Sequence, residues 1–193
     1  NKLTYFTKLD QRADLLEIGC GKGNLLLAAH KKGINVTGVD THLRVKEEVL
    51  ERNIQVQECD ARKLAEKGKR YKQIILWHVL EHIPDVKEFY KDLQNLSKES
   101  TEILIAVPNA RSWQFSYSKS NWYHLDPNRH LYHFDEHTLS NQLIDNGFEV
   151  QRVHYDSLYL NFIGDFISTG NLIFPIKNLP FNYVRNKATL FKN

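Results

Sequence analysis

Short apolar runs alternate with amphipathic stretches along most of this chain, and that alternation narrows the fold to one class. Residues 13–18 (ADLLEI) read as a buried strand ended by glycines. Residues 24–32 have helical spacing, lysines in the last turn and Gly33 as a stop. Residues 34–39 are rich in β-branched side chains and end at Asp40, residues 44–52 are helical, and residues 54–57 form a short strand before Cys59 and Asp60. Residues 73–77 (QIILW) are a fourth strand. Pro84 permits a new helix over 85–96, with Val86, Phe89, Tyr90, Leu93 and Leu96 on one face. Residues 103–107 (ILIAV) are a fifth strand stopped by Pro108, and 108–132 are aromatic, polar and irregular. A helix over 135–146 is capped by Asp135 and closed by Gly147, and 148–154 make a sixth strand. Strands spaced by helices give an α/β domain: a mostly parallel sheet with helices on both faces. No convincing seventh strand is visible, because residues 188–191 are too short.

The chain's 193 residues fit one domain. The core is expected over 13–154, with 155–193 as an extension serving as lid, packing or interface segment. A hydrophobic fraction of 41% with 25% charged residues excludes disorder, and no apolar run reaches the ~18 residues that span a bilayer. The formal charge of +3 neither demands nor excludes nucleic acid. Cys20 and Cys59 make no disulfide framework, which points to a reducing compartment, taken as the cytoplasm. Methionine is absent, initiator included, as expected of a fragment.

In such sheets ligands bind beyond the carboxyl ends of the strands, at the point where strand order reverses. The residues just after the strands therefore matter most. After the first comes Glu17-Ile18-Gly19-Cys20-Gly21-Lys22-Gly23. Its glycines allow positive φ and close approach of backbone to a ligand. The spacing G-x-G-x-G differs from the dinucleotide pattern, because position 24 is Asn, and from a phosphate-binding Walker loop. Asp40, at the end of the second strand, is placed to accept two hydrogen bonds from ribose hydroxyls, with Thr41 beside it as an equally good helix cap. Asp60 ends the third strand and can accept from an adenine amino group or simply occupy a solvated turn.

In these residues the chain resembles the class I S-adenosylmethionine-dependent methyltransferases, and within them the type 11/23 subgroup that includes ubiquinone-pathway O-methyltransferases. The matching pieces are LLEIGCGKGNLL (15–26), VTGVD (36–40), CDA (59–61), IILWHVLEHIPD (74–85), ILIAVPN (103–109) and the distal segment 124–150. The resemblance implies a Rossmann-like methyltransferase sheet and S-adenosylmethionine as cofactor. It implies that Glu17 and the backbone of Gly19, Cys20, Gly21 and Gly23 bind the methionine moiety, that Asp40 with Thr41 holds the ribose, and that Asp60 and Ala61 contact the adenine. It further implies that Trp77, His78 and Val79 close the site near the sulfonium, His78 through its backbone, and that Glu81 and His82 line the substrate side. The family usually ends in a hairpin of strands six and seven and often carries an N-terminal covering helix, barely present here in residues 1–12.

Methyl transfer from a sulfonium needs alignment and a dry site, and a base only when the acceptor must lose a proton. Of 9 histidines, His82 follows the fourth strand directly and is expected to face the cleft as base or substrate-orienting residue. His130 and His133 are placed on the substrate side or as packing groups bonding a neighbouring loop. His130, His133 and His137 are spaced so that they could be read as a metal site, but no metal is expected, because a constellation such as H-E-x-x-H is absent. Trp122 belongs to an aromatic stretch suited to a pocket wall or a satellite core, and Arg111 and Arg129 suit an anionic substrate group. The acceptor is expected to be a small molecule, with lipid- or sugar-linked compounds in range, methylated on a hydroxyl. The segment after residue 156 is apolar and basic, suited to membrane contact, sheet packing or a homodimer interface. The rivals are a nicotinamide-dependent oxidoreductase, which Asn24 opposes, and a non-catalytic cofactor-binding protein, which the intact loop and Asp40 oppose. A nucleic-acid methyltransferase usually carries an acidic or Asn-Pro-Pro-Tyr type motif after strand four, where this chain has His78-Val79-Leu80-Glu81.

Overall fold

A computed structural model describes Leu3 and residues 14–122, 124–156 and 183–190. A seven-stranded sheet runs in the order β3-β2-β1-β4-β5-β7-β6. Its strands are β1 (Leu15–Ile18), β2 (Val36–Asp40), β3 (Gln55–Glu58), β4 (Tyr71–Trp77), β5 (Ser97–Pro108), β6 (Phe148–Asp156) and β7 (Tyr183–Leu190). The pairs β1·β2, β1·β4, β2·β3 and β4·β5 are parallel. The chain leaves β1 toward β2 and β3, then returns to the other side of β1 with β4, so strand order reverses between β1 and β4. The mostly parallel architecture expected from the alternation is therefore present.

The period-2 alternation of strand residues sorts two cores onto the two faces. Leu16, Ile18, Val39, Ile74, Leu76, Ile103 and Ile105 point to one face. There they meet α3 (Ala61–Glu66), α4 (Val86–Leu96) and α6 (Glu136–Asp145). Leu15, Val36, Ile75 and Leu104 point to the other, under α1 (Asn24–His30) and α2 (Glu47–Glu51). Phe89, Tyr90, Leu93 and Leu96 of α4 are all buried, as their helical spacing requires. Asp85 caps that helix by accepting from the Glu88 N–H at 3.0 Å, and Asp135 caps α6 by accepting from Thr138 at 2.7 Å.

Three elements depart from the sequence expectation, one strand and two helices. First, β7 exists. It lies between β5 and β6 and pairs antiparallel with both, from Glu102↔Thr189 to Pro108↔Tyr183 on one side and from Phe148↔Leu190 to Asp156↔Tyr183 on the other. A search for an apolar run misses it, because YVRNKATL mixes charged and polar residues. Strand formation here is decided by two flanking ladders rather than by propensity. The segment 155–193 is thus not wholly an extension of the core, since part of it completes the sheet. Second, α3 and α5 (Trp113–Ser118) form where the sequence offered no clear helix. Their caps explain them: Asp60 accepts from the Lys63 N–H at 2.8 Å, and the Ser112 Oγ from the Phe115 N–H at 3.1 Å.

Because β7 donates to ladders on both sides, a proline inside it removes a bond that nothing replaces. Lys187→Pro is expected to lower unfolding stability by at least ~2 kcal/mol in urea titrations. An unchanged midpoint would mean that β7 adds nothing to the sheet.

Candidate functional site

At the reversal between β1 and β4 the strand ends open into a cavity of about 1110 Å³. The turn after β1 forms its floor. Gly19 has φ 71°, and a Cβ there would lie 2.4 Å from Val79 Cγ2, so a side chain would collide with the turn after β4. Gly21, at φ 51°, directs its N–H to Asp40 Oδ2 at 2.9 Å. The other Asp40 oxygen accepts from the His42 N–H at 3.0 Å. Each carboxylate oxygen keeps a second lone pair for a ligand. Asp40 thus stands directly against the glycine turn, and the two line the cavity side by side.

Other walls come from the turns after β3 and β4. Cys59, Asp60, Ala61 and Arg62 line one side, and His78, Val79, His82 and Ile83 the other. Asp60 gives one oxygen to the α3 cap, which leaves the second available. Arg62 is drawn toward Asp92 and Glu88, each at 3.7 Å. His78 adopts φ 56°, a strained conformation for a side chain of this size. Its N–H bonds the Ala106 carbonyl at 2.9 Å, and its Nδ1 bonds Glu81 Oε1 at 3.0 Å. Glu81 is only 1% exposed.

The distal segment is tied to this corner by main chain. The N–H groups of Leu131 and Tyr132 both donate to the Glu81 carbonyl, at 2.8 and 3.4 Å. Histidines gather around the clamp. His82 Nδ1 bonds the Arg129 carbonyl at 2.9 Å, and His130 Nδ1 the His124 carbonyl at 2.7 Å. A carbonyl only accepts, so each Nδ1 bears the proton and each Nε2 a lone pair. His78 stacks on His124, with ring centroids 6.1 Å apart and an interplanar angle of 4°. Burial, then the neighbouring His78 and His130, push His124 down to about 4.

The structure brings some of the residues singled out from the sequence together and separates others. Gly19, Gly21, Asp40, Thr41, Asp60, Ala61, His78, Val79, His82 and Arg129 share the cavity wall. Glu17, at 3% exposure, and Cys20 lie buried behind the glycine turn, while Gly23 caps α1; Trp77 packs on the α1 face of the sheet. Glu81 and His130 stand just behind the wall, held by the contacts above. Trp122 is 3% exposed and donates its Nε1–H to Gln114 at 2.9 Å, so it packs within the distal segment. His133 bonds the Leu125 carbonyl at 2.7 Å, and Arg111 pairs with Asp135 at 3.2 Å on the surface. The sequence reading overlooked Cys59, Asp85, Phe89 and Asp92, which also line the cavity. The last three stand on and before α4, whose apolar face had signalled only core.

The sequence profile of a methyltransferase domain, Methyltransf_23, matches residues 1–153, which include the glycine turn, the acid of β2 and the turn after β4. The chain belongs to this methyltransferase family. The type 11/23 resemblance seen in the motifs is thereby borne out. Among curated proteins, the chain is 30% identical over 108 residues to a ubiquinone biosynthesis O-methyltransferase of Citrobacter koseri, across 51% of this chain and 45% of that one. The corresponding Escherichia coli protein is 29% identical over the same length. The chain thus spans about half the length of these relatives. A SAM-dependent methyltransferase of Archaeoglobus fulgidus superposes with a TM-score of 0.65 at 23% identity, covering 92% of this chain and 86% of that one. A putative sarcosine dimethylglycine methyltransferase of Galdieria sulphuraria reaches 0.70 at 13% identity, covering 94% and 80%. The 1,6-didemethyltoxoflavin-N1-methyltransferase of Burkholderia thailandensis, solved with S-adenosylhomocysteine, reaches 0.67 at 16% identity, covering 94% and 72%. These likenesses are likenesses of fold.

The two cysteines give a direct probe of the site. Burial, then the nearby Glu17 and Asp40 carboxylates, push the Cys20 thiol up to about 12, whereas Cys59 lines the cavity. Iodoacetamide at pH 8 is expected to label Cys59 in the folded protein well ahead of Cys20, as read by peptide mass spectrometry. Faster labelling of Cys20 would mean that the glycine turn is open.

Proposed function

We propose that this chain is an S-adenosylmethionine-dependent methyltransferase that methylates a hydroxyl of a small-molecule acceptor. The observation that carries the proposal is the cavity. It joins the glycine turn and Asp40 at one end to His78 and His82 at the other, so a nucleoside site and a proton-accepting site share one enclosure. Its volume of about 1110 Å³ is at the upper end of small-molecule sites and has room for a cofactor and an acceptor together. The fit is chemical as well as spatial. Gly19 keeps the floor clear of a Cβ, and the Asp40 carboxylate can accept from two sugar hydroxyls. Bound there, S-adenosylmethionine supplies an activated methyl group, so the protein is left with alignment, exclusion of water and removal of one proton.

His78 is suited to the last task. The bond to buried Glu81 places the proton on Nδ1, orients the ring and leaves Nε2 as the basic nitrogen. It also gives the imidazolium formed on proton transfer a charged partner. His82, on the same wall, is placed to orient the acceptor oxygen, the second of the two roles that its sequence position allowed. Similarity to ubiquinone biosynthesis O-methyltransferases supports oxygen as the methylated atom. The proposal extends to lipid- or sugar-linked acceptors, to membrane contact or dimerisation through the last residues, and to a cytoplasmic location, which two cysteines outside any disulfide support. The apolar and basic segment after residue 156 lies mostly outside the described residues. Among the described residues no helix is long and apolar enough to cross a membrane.

Two expectations test the reading. Calorimetry should show binding of S-adenosylmethionine and S-adenosylhomocysteine but not NADH, with Asp40→Ala weakening both by at least ~30-fold through loss of charge-assisted hydrogen bonds. Binding of NADH alone would replace this proposal with the oxidoreductase reading. With a hydroxylated acceptor in hand, His78→Ala is expected to lower kcat by ~10²-fold or more and leave the dissociation constant of S-adenosylhomocysteine within a few-fold. A kcat unchanged by that substitution would remove His78 from the chemistry.

A further inference from the structure

Glu81 carries an anomaly. Its carboxylate is 1% exposed, Oε1 accepts from His78, and Oε2 has no hydrogen-bond partner among the described residues. An unsatisfied, charged oxygen in a buried position costs several kcal/mol unless something cationic or protic meets it. What stands nearest is informative. One ligand atom from each of Glu81, His82 and His130 lies within 4.8 Å of the other two. The rings of His82 and His130 are 4.8 Å apart, centroid to centroid. Both rings donate Nδ1–H to main-chain carbonyls, which leaves each Nε2 as the nitrogen that can ligate. That is the outer-shell arrangement by which proteins fix metal-binding histidines.

We propose that Glu81, His82 and His130 form a binding site for one divalent transition cation, zinc in the first instance. Two imidazoles and one carboxylate suit zinc or its neighbours in the first transition series better than magnesium or calcium, which prefer oxygen. Three ligands around zinc stand roughly 3–3.5 Å apart, so the longest of these separations must contract by up to roughly 1.8 Å. The backbone is already in place for this: the Glu81 carbonyl takes the N–H groups of Leu131 and Tyr132, which binds the residue next to His130 to the turn bearing Glu81 and His82. A spacing rule misses the site, because two ligands come from the turn after β4 and the third from the distal segment. Three protein ligands leave a fourth position open, and His82 and Arg129 line the cavity beside it. There the cation would receive the acceptor oxygen and make its proton easier to remove. That use rests on the methyl-transfer proposal, whereas the binding of the cation does not.

The test therefore reads binding without cofactor or acceptor. Protein stripped with EDTA and desalted is titrated with ZnCl₂ against a chromophoric chelator, and with CoCl₂ by visible absorption. The expected result is one tight zinc per chain and cobalt bands of intensity typical of four- or five-coordination. Glu81→Gln and His130→Gln should each weaken zinc by at least ~10-fold. His130→Gln guards against the case in which Glu81→Gln does not fold, and circular dichroism reports on both. Absence of a tight zinc in the wild type, or an affinity unchanged in a folded variant, overturns the site. S-adenosylhomocysteine binding to the same stripped protein separates the two proposals: cofactor binding without zinc binding sinks only the cation, and zinc binding without cofactor binding sinks only the methyl-transfer reading.

Discussion

The hydrogen bond from the Gly21 N–H to Asp40 Oδ2 is the contact on which the rest of the site depends. It joins the turn after β1 to the end of β2, and it forms only because residue 21 tolerates φ 51°. The same turn receives Val79 over Gly19, where any side chain would collide. Three turns are thereby set at fixed distances around one hollow. The parallel register of β1 with β2 and β4 delivers them to the same edge of the sheet, and the two apolar cores hold that edge rigid. The fold stabilises the hollow, and the hollow is where a ligand can meet main-chain donors and a carboxylate together.

A second constraint builds the opposite wall. The Glu81 carbonyl accepts from Leu131 and Tyr132, so the distal segment is fastened to the turn after β4. Around that fastening the chain places His78, His82, His124 and His130, with one buried carboxylate among them. Burial keeps His124 neutral, which spares the cluster one positive charge. Main-chain carbonyls fix which nitrogen of His82 and of His130 carries the proton. The result is a set of ring nitrogens with lone pairs beside the cavity, able to take a proton or hold a cation.

Much of this was legible in the sequence, for physical reasons. Strands β1, β2, β4 and β5 are apolar because both their faces are buried, so each announces itself as a run. The glycine turn and Asp40 stood out because only a ligand or a tight turn explains three glycines beside a strand-end acid. β7 was illegible because an antiparallel strand between two ladders tolerates Arg185, Asn186 and Lys187. α3 hid because Asp60, read as a ligand-binding acid, also serves as its cap. Trp122 suited a pocket wall or a satellite core equally, and only the structure shows that Gln114 satisfies its indole within the distal segment. The pairing of His78 with Glu81 accompanies a backbone at φ 56°, a conformation uncommon for any residue but glycine and so not foreseen from sequence. Sequence spacing finds groups presented by one element and misses those assembled by two.

A crystal structure of the chain grown with S-adenosylhomocysteine tests the central claim most directly. The account predicts the ribose hydroxyls on the Asp40 carboxylate, the amino-acid end over Gly19 and Gly21, and the sulfur turned toward His78. A nucleoside bound elsewhere on the surface, or a ribose with no contact to Asp40, would contradict it.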